Sequence, residues 1–214
     1  MHVGDGQLAP AVLAVGAIGG LTGLAGSLRH LHERDIPRVA VLSSLFFAAS
    51  LWHVPVPLTG TSIHLVLCGL LGLLLGWHTF LAVTLVLVFQ ALVFGHGGIS
   101  SLGVNIVAMG LPGPILATLL RPVLNSQRMG AVFSGGFFLG AGSIVLACLM
   151  VATAYAASST EFLAYLPWYF AANVPLMIIE GMLTGSTVTF LARVRPDVIG
   201  RPLPLLHARR IHAS

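Results

Sequence analysis

From residue 8 onward the chain alternates long apolar stretches with short polar ones. Apolar runs fall at about 8–28, 37–54, 61–76, 78–94, 103–120, 130–157 and 167–192. Several reach the ~20 residues that cross a bilayer as an α-helix. Lipid offers backbone N–H and C=O groups no partners, so helices rather than open sheets are expected. The pattern predicts an all-α integral membrane protein, a bundle of seven transmembrane helices forming one domain over residues 1–192. An Arg-rich tail, 193–214, follows. The second and third runs are short and broken by proline or glycine, as in "HVPVPLTGTS", residues 53–62. Broken segments at membrane depth find their partners in protein, so this region is a candidate binding site.

Composition agrees. Of 214 residues, 57% are hydrophobic and 7% charged, and the mean hydropathy is +0.97. A soluble domain keeps about a quarter of its residues charged. Lysine is absent, and all ten basic residues are arginine. The resulting basicity reflects few acids and anchoring arginines, not a nucleic-acid partner. Arg29, Arg34 and Arg38 lie between the first and second runs; Arg121 and Arg128 lie between the fifth and sixth. Arg193, Arg195, Arg201, Arg209 and Arg210 follow the seventh. With seven passes every arginine falls on one side, which the positive-inside rule makes cytoplasmic. A multi-pass protein of the cell's inner membrane is expected, amino terminus outside and carboxyl terminus in the cytoplasm. A six-pass chain breaks this agreement. The first residues carry Asp5 and no basic side chain, unlike a cleavable signal peptide. Cys68 and Cys148 sit inside apolar runs and read as packing residues rather than a disulfide.

The same topology places His2, His53, His64 and His96 at the outer side, where they could converge. His30, His32, His78, His207 and His212 fall at the inner side. The opening "MHVGDGQLAP" suggests a reason. A free α-amine, the next amide nitrogen and an imidazole at position two can chelate one metal ion. The amine and imidazole, with ordinary pKa values near ~8 and ~6.5, give up their protons at mild cost. A second histidine could fill the fourth position. Planar nitrogen sets suit Ni²⁺ or Cu²⁺ and can accommodate Co²⁺. Taken alone, a histidine at position two more often belongs to a frayed terminus. Further along, "PLTGTSIHLVLCGLLGLLLGW" (57–77) puts His64 at the outer end of the third run, after Ser62 and before Cys68. "VFQALVFGHGGISSLGVNIVAMG" (88–110) carries Gln90, His96 and Asn105 around a glycine turn.

Together "MHVGDGQLAP", "GTSIHLVLCGLLGLLLGW", "QALVFGHGGISSLGVN" and the later "VPLMIIEGMLTG" (174–185) resemble one family over most of residues 1–190. It is the membrane-embedded substrate-specificity component of cobalt and nickel energy-coupling factor transporters, the CbiM/NikM type. The resemblance implies seven helices with the amino-terminal segment inserted into the bundle, and a metal loop at residues 1–8. It implies that the ion is held by the Met1 amine, the His2 amide and ring, and His64. It implies a transmembrane coupling subunit, cytoplasmic ATPase subunits and a small accessory membrane subunit as partners. This chain would then bind metal and catalyse nothing, with no organic cofactor. The transported ion would be Co²⁺ for cobalamin biosynthesis, with Ni²⁺ the alternative. Many relatives carry proline at the third or fourth place, where this chain has Val3 and Gly4, a change expected to loosen the loop.

Other residues have open roles. Cys68, four positions after His64, would share its helical face and could add a thiolate; a small packing residue is the simpler reading. His96 could hydrogen-bond the metal-bound loop or lie in a solvent-exposed turn. Asp5, Ser62 and Asn105 are candidate loop supports, Asp5 through loop amides. Gln90, Asn173 and Glu180 are polar at membrane depth, where an ionisable group must be paired. Glu180 reads as a helix lock ahead of a moving part. Small-residue pairs such as Gly16/Gly20, Gly72/Gly76, Gly136/Gly140 and Gly181/Gly185 would permit close helix contacts, within the bundle or with a coupling subunit. A channel or secondary transporter is the rival class. An intramembrane enzyme is disfavoured, because HExxH, GxSxG and paired carboxylates in one span are all absent.

Overall fold

The computed structural model describes residues 3–51, 53–56, 61–95 and 97–200. Helix α1 spans Pro10–Arg29 and α2 Ile36–Ser50. A two-stranded antiparallel hairpin follows, β1 His53–Val56 and β2 Thr61–His64, with His53 opposite His64 and Val56 opposite Thr61. Then come α3 Cys68–Leu75, α4 Thr79–Phe94, α5 Leu102–Gly110, α6 Pro112–Leu119 and the short α7 Arg121–Leu124. The long pair α8 Met129–Ser158 and α9 Leu166–Val194 ends the bundle. Proline stands in the first two positions of α1, α2, α6, α7 and α9, where its missing N–H would have had no helical partner.

The chain is thus a nearly all-helical membrane protein. Pro10–Arg29, Cys68–Phe94, Leu102–Leu119, Met129–Ser158 and Glu161–Val194 are long and apolar enough to cross a bilayer. Helices α2 and α3, at 15 and 8 residues, are shorter than a full crossing. The third apolar run is where sequence and structure part. Helix was expected from residue 61, but 61–64 form β2 and helix begins only at Cys68. β-Branched Thr61 and Ile63 favour extended backbone, and the strand satisfies its hydrogen bonds against β1. His64 and Cys68 therefore lie on different elements, and their four-residue spacing does not put them on one helical face. The stretch Cys68–Phe94 is also not one straight rod. Gly76, at φ +56°, breaks it. Gly72 of α3 packs on Gly113 and Pro114 of α6, whereas Phe80 of α4 lies against Gly23 and Gly110. Helix α4 therefore runs back along α5.

Small residues make the tight seams inside the bundle. A Cβ on Gly136 would lie 2.8 Å from the Gly185 Cα, and Gly140 faces Glu180 and Thr184 across the antiparallel α8–α9 pair. Gly16 and Gly20 of α1 meet Val104 and Gly103 of α5. Of the Gly72/Gly76 pair only Gly72 packs; Gly76 turns the chain. The described arginines gather at one end. Arg38 Nη2 donates to the Val198 carbonyl at 2.9 Å, and Gly200 abuts Arg121, joining three of the arginine-bearing segments.

Candidate metal site

At the opposite end the chain's opening segment enters the bundle. Val3 is fully buried. Its N–H donates to Asn105 Oδ1 at 2.9 Å, and its carbonyl accepts from Ser101 Oγ at 2.6 Å and Asn105 Nδ2 at 3.1 Å. Ser101 and Asn105 stand one turn apart at the start of α5, so one helix face grips both polar groups of one residue. Asp5 then accepts from the amides of Ile99 (3.2 Å) and Ser100 (2.8 Å) and from the Ser100 hydroxyl. The Ser100 hydroxyl, and next its amide, hold the Asp5 carboxyl below its ordinary pKa. Gln7 Oε1 accepts from the Gly4 amide at 3.1 Å and the Tyr155 hydroxyl at 2.6 Å. The Ala9 amide donates to Ser158 Oγ at 3.0 Å. The segment carrying Val3 and Gly4 is therefore held rather than loosened.

His64, at the end of β2, is 3% exposed. Its Nδ1 lies 2.9 Å from the Leu65 carbonyl. A carbonyl can only accept, so in this bond Nδ1 carries the hydrogen, and in the neutral ring the lone pair is then on Nε2. This is the usual arrangement of a histidine set up for a metal, whose other ring nitrogen donates to a carbonyl or carboxylate. Immediately after it, Leu67 takes a left-handed backbone at φ 54°, the one non-glycine residue with positive φ among those described. Two successive N–H groups there point at one acceptor. Val66 N and Leu67 N donate to Glu180 Oε1 of α9 at 2.5 and 2.9 Å. Successive backbone amides in such a turn form a concave anion-binding nest. Val3 and Val66 belong to the same apolar core.

The remaining candidates divide. Asn105 and Asp5 hold the opening segment. Glu180, fully buried, ties α9 to the turn after His64. Cys68 is buried at the start of α3 and is not in a disulfide. Gln90 donates to Ser50 Oγ, joining α4 to α2. Asn173 donates to the Tyr169 carbonyl within α9 at 2.8 Å, two residues before Pro175, which leaves a gap in the helical ladder. Met1, His2, His96 and the Ser62 side chain lie outside the described residues. Among the described residues, no three histidine, cysteine or acidic side chains converge as a ready-made metal cage. Sequence reasoning missed Ser101, Tyr155 and Gln7. The i,i+4 spacing of Ser101 and Asn105 was a legible signal; nothing local marks Gln7 or Tyr155.

A multi-pass helical bundle that buries its opening segment, and separately buries a histidine, has the build of a membrane transport protein. The sequence matches the family described as the cobalt uptake substrate-specific transmembrane region, CbiM, over residues 2–198, and the chain belongs to that family. It is 31% identical to a putative metal transport protein of Haemophilus influenzae, across 94% of this chain and 98% of that one. It is 30% identical to a putative fused nickel transport protein, NikMN, of Archaeoglobus fulgidus, across 93% of this chain and 68% of that one. A crystal structure of a transition metal transporter superposes with a TM-score of 0.71 at 25% identity, covering 91% of this chain and 93% of the other.

Proposed function

We propose that this chain is the metal-capturing membrane subunit of an energy-coupling factor importer. It takes up Co²⁺ at the outer face and passes it inward, for cobalamin biosynthesis. The ion's ligands are the Met1 amine, the His2 amide and imidazole nitrogens, and His64 Nε2. The observation that carries this reading is the double grip on Val3, together with a buried His64 whose Nδ1 is bonded to Leu65. Held this tightly, Val3 is the anchor for the proposed ligands at positions 1 and 2. Amine and imidazole nitrogens suit Co²⁺ and Ni²⁺. Ni²⁺ is the second reading, favoured by its higher intrinsic affinity for nitrogen and by the nickel transporter among the relatives.

The bundle crosses the inner membrane seven times as a single domain over residues 1–192, the third pass made of the hairpin and α3. The arginine-rich end and the tail, 193–214, face the cytoplasm. The chain itself hydrolyses nothing. ATP is used by cytoplasmic ATPase partners, and motion reaches the site through a transmembrane coupling subunit, with a small accessory membrane subunit beside it. The fused NikMN relative supports partnership, since there a chain like this one is continuous with a further component. A bare divalent ion cannot enter hydrocarbon, so its water must be exchanged for fixed ligands. Those ligands let go when the opening segment moves or its nitrogens are protonated.

The test is metal content and dissociation constants for the purified full-length chain, alongside His2→Ala, His64→Ala, Asn105→Ala and a terminus acetylated with Met1 retained. Each change should weaken Co²⁺ and Ni²⁺ binding at least tenfold. Undiminished binding to the acetylated protein would transfer the chain to the channel or secondary-transporter class.

A further inference from the structure

We propose that Glu180, more than a hundred residues away in sequence, sets the direction of the His64 ring and is a positioning residue for the metal site. The inference rests on the reading of His64 as a ligand.

One peptide unit carries the argument. The Leu65–Val66 peptide is planar, with its C=O and N–H fixed on opposite sides. Its carbonyl accepts from His64 Nδ1 at 2.9 Å, and its N–H donates to Glu180 Oε1 at 2.5 Å. Rotating that plane would break both bonds together. A carboxyl group on α9 thus determines where the Leu65 carbonyl points, and that carbonyl determines how the imidazole is turned. Chained hydrogen bonds of this kind also polarise one another in a low-dielectric interior.

The turn needs such a hold. Leucine at φ 54° is strained, since its Cβ crowds the backbone there, and it persists only if its surroundings impose it. Helix α3 has no capping side chain of its own at Leu67, and the first N–H groups of a helix lack internal acceptors. Glu180 Oε1 supplies an acceptor to both Val66 and Leu67. The carboxyl is itself fixed, because Glu180 is fully buried and its helix is locked to α8 through Gly140. A plain helix lock would need a bond to α3, but not two bonds to the peptides that follow the ligand.

The test uses the purified full-length protein titrated with CoCl₂ and NiCl₂, reading dissociation constants, ligand-field absorption and apo melting together. Glu180→Ala should weaken binding by about 10- to 100-fold, the usual cost of removing a group that orients a metal-ligating histidine. Its absorption bands should shift. Glu180→Gln, which keeps an acceptor oxygen at the same reach, should restore most of the affinity and the wild-type bands. If Glu180→Ala does not fold, Glu180→Asp is read in its place, its carboxyl one methylene short of both amides. Wild-type affinity and bands in either folded variant overturn the inference. So does a finding that only glutamine permits folding, which would make the bond purely structural. Absence of binding by the wild type, or binding unaffected by His64→Ala, would instead overturn the reading of His64 as a ligand.

Discussion

At the scale of single residues, backbone groups are held by side chains distant in sequence. Val3 is gripped by Asn105 and Ser101, and Asp5 by Ser100 and Ile99. Only the second of these grips involves a titratable group. The Asp5 carboxyl is lowered in the folded state, so its contribution is present above the ordinary aspartate value near ~4 and fades as pH falls through the lowered one. Free amines and imidazoles at their ordinary values titrate much higher, near ~8 and ~6.5. Asp5→Asn should therefore leave the pH midpoint of metal binding in place. The difference in apo melting temperature between wild type and Asp5→Asn should stay level above about pH 4 and shrink below it. Melting scans in buffered detergent, with and without metal, check both halves.

At the scale of elements, the helices were legible and the hairpin was not. The sixth and seventh runs, read at 130–157 and 167–192, became α8 at Met129–Ser158 and α9 at Leu166–Val194. Long uninterrupted apolarity leaves a chain in lipid one choice. Residues 61–64 had a second choice, because a partner strand inside the protein could satisfy their backbone, and apolarity says nothing about that. The site was half legible. Asn105 and Asp5 stood out as polar residues beside glycine turns, whereas the partners of Glu180 could not be read without the fold. Two of the glycine pairs, Gly136/Gly140 and Gly181/Gly185, have an address in the α8–α9 seam. Gly140→Val should overpack it and cost about 1–3 kcal/mol. Gly130→Val, where a side chain meets open space, should be close to neutral, since valine is no worse a helix former than glycine. Thermal unfolding of the two variants in the same detergent gives the comparison.

At the scale of the whole molecule, the opening segment of the candidate metal site and the arginine-bearing segments occupy opposite ends of the bundle. Among the links between them are α3, which begins beside the Glu180 nest and ends at Gly76, and α9, which carries Glu180 and runs on to Arg193 and Arg195. Loading the site should therefore stabilise the entire bundle and not only the end that holds the opening segment. A ligand that binds only the folded state, supplied at a hundred times its dissociation constant, adds about 2.7 kcal/mol. Co²⁺ or Ni²⁺ at that excess should raise the unfolding midpoint, and a chelator should reverse the gain. A flat response would mean that the ion binds folded and unfolded chains alike.

The distances in sequence across these bonds have a further meaning. Val3 waits for residue 105, Ala9 for residue 158, and Val66 for residue 180. A ribosome adding about 5–20 residues per second leaves the nascent head without its docking partners for many seconds. The pocket can close only after the final helix has been delivered to the lipid. A prematurely terminated polypeptide, however well inserted, would be unable to sequester cargo, so cargo retention reports that synthesis ran to the last helix.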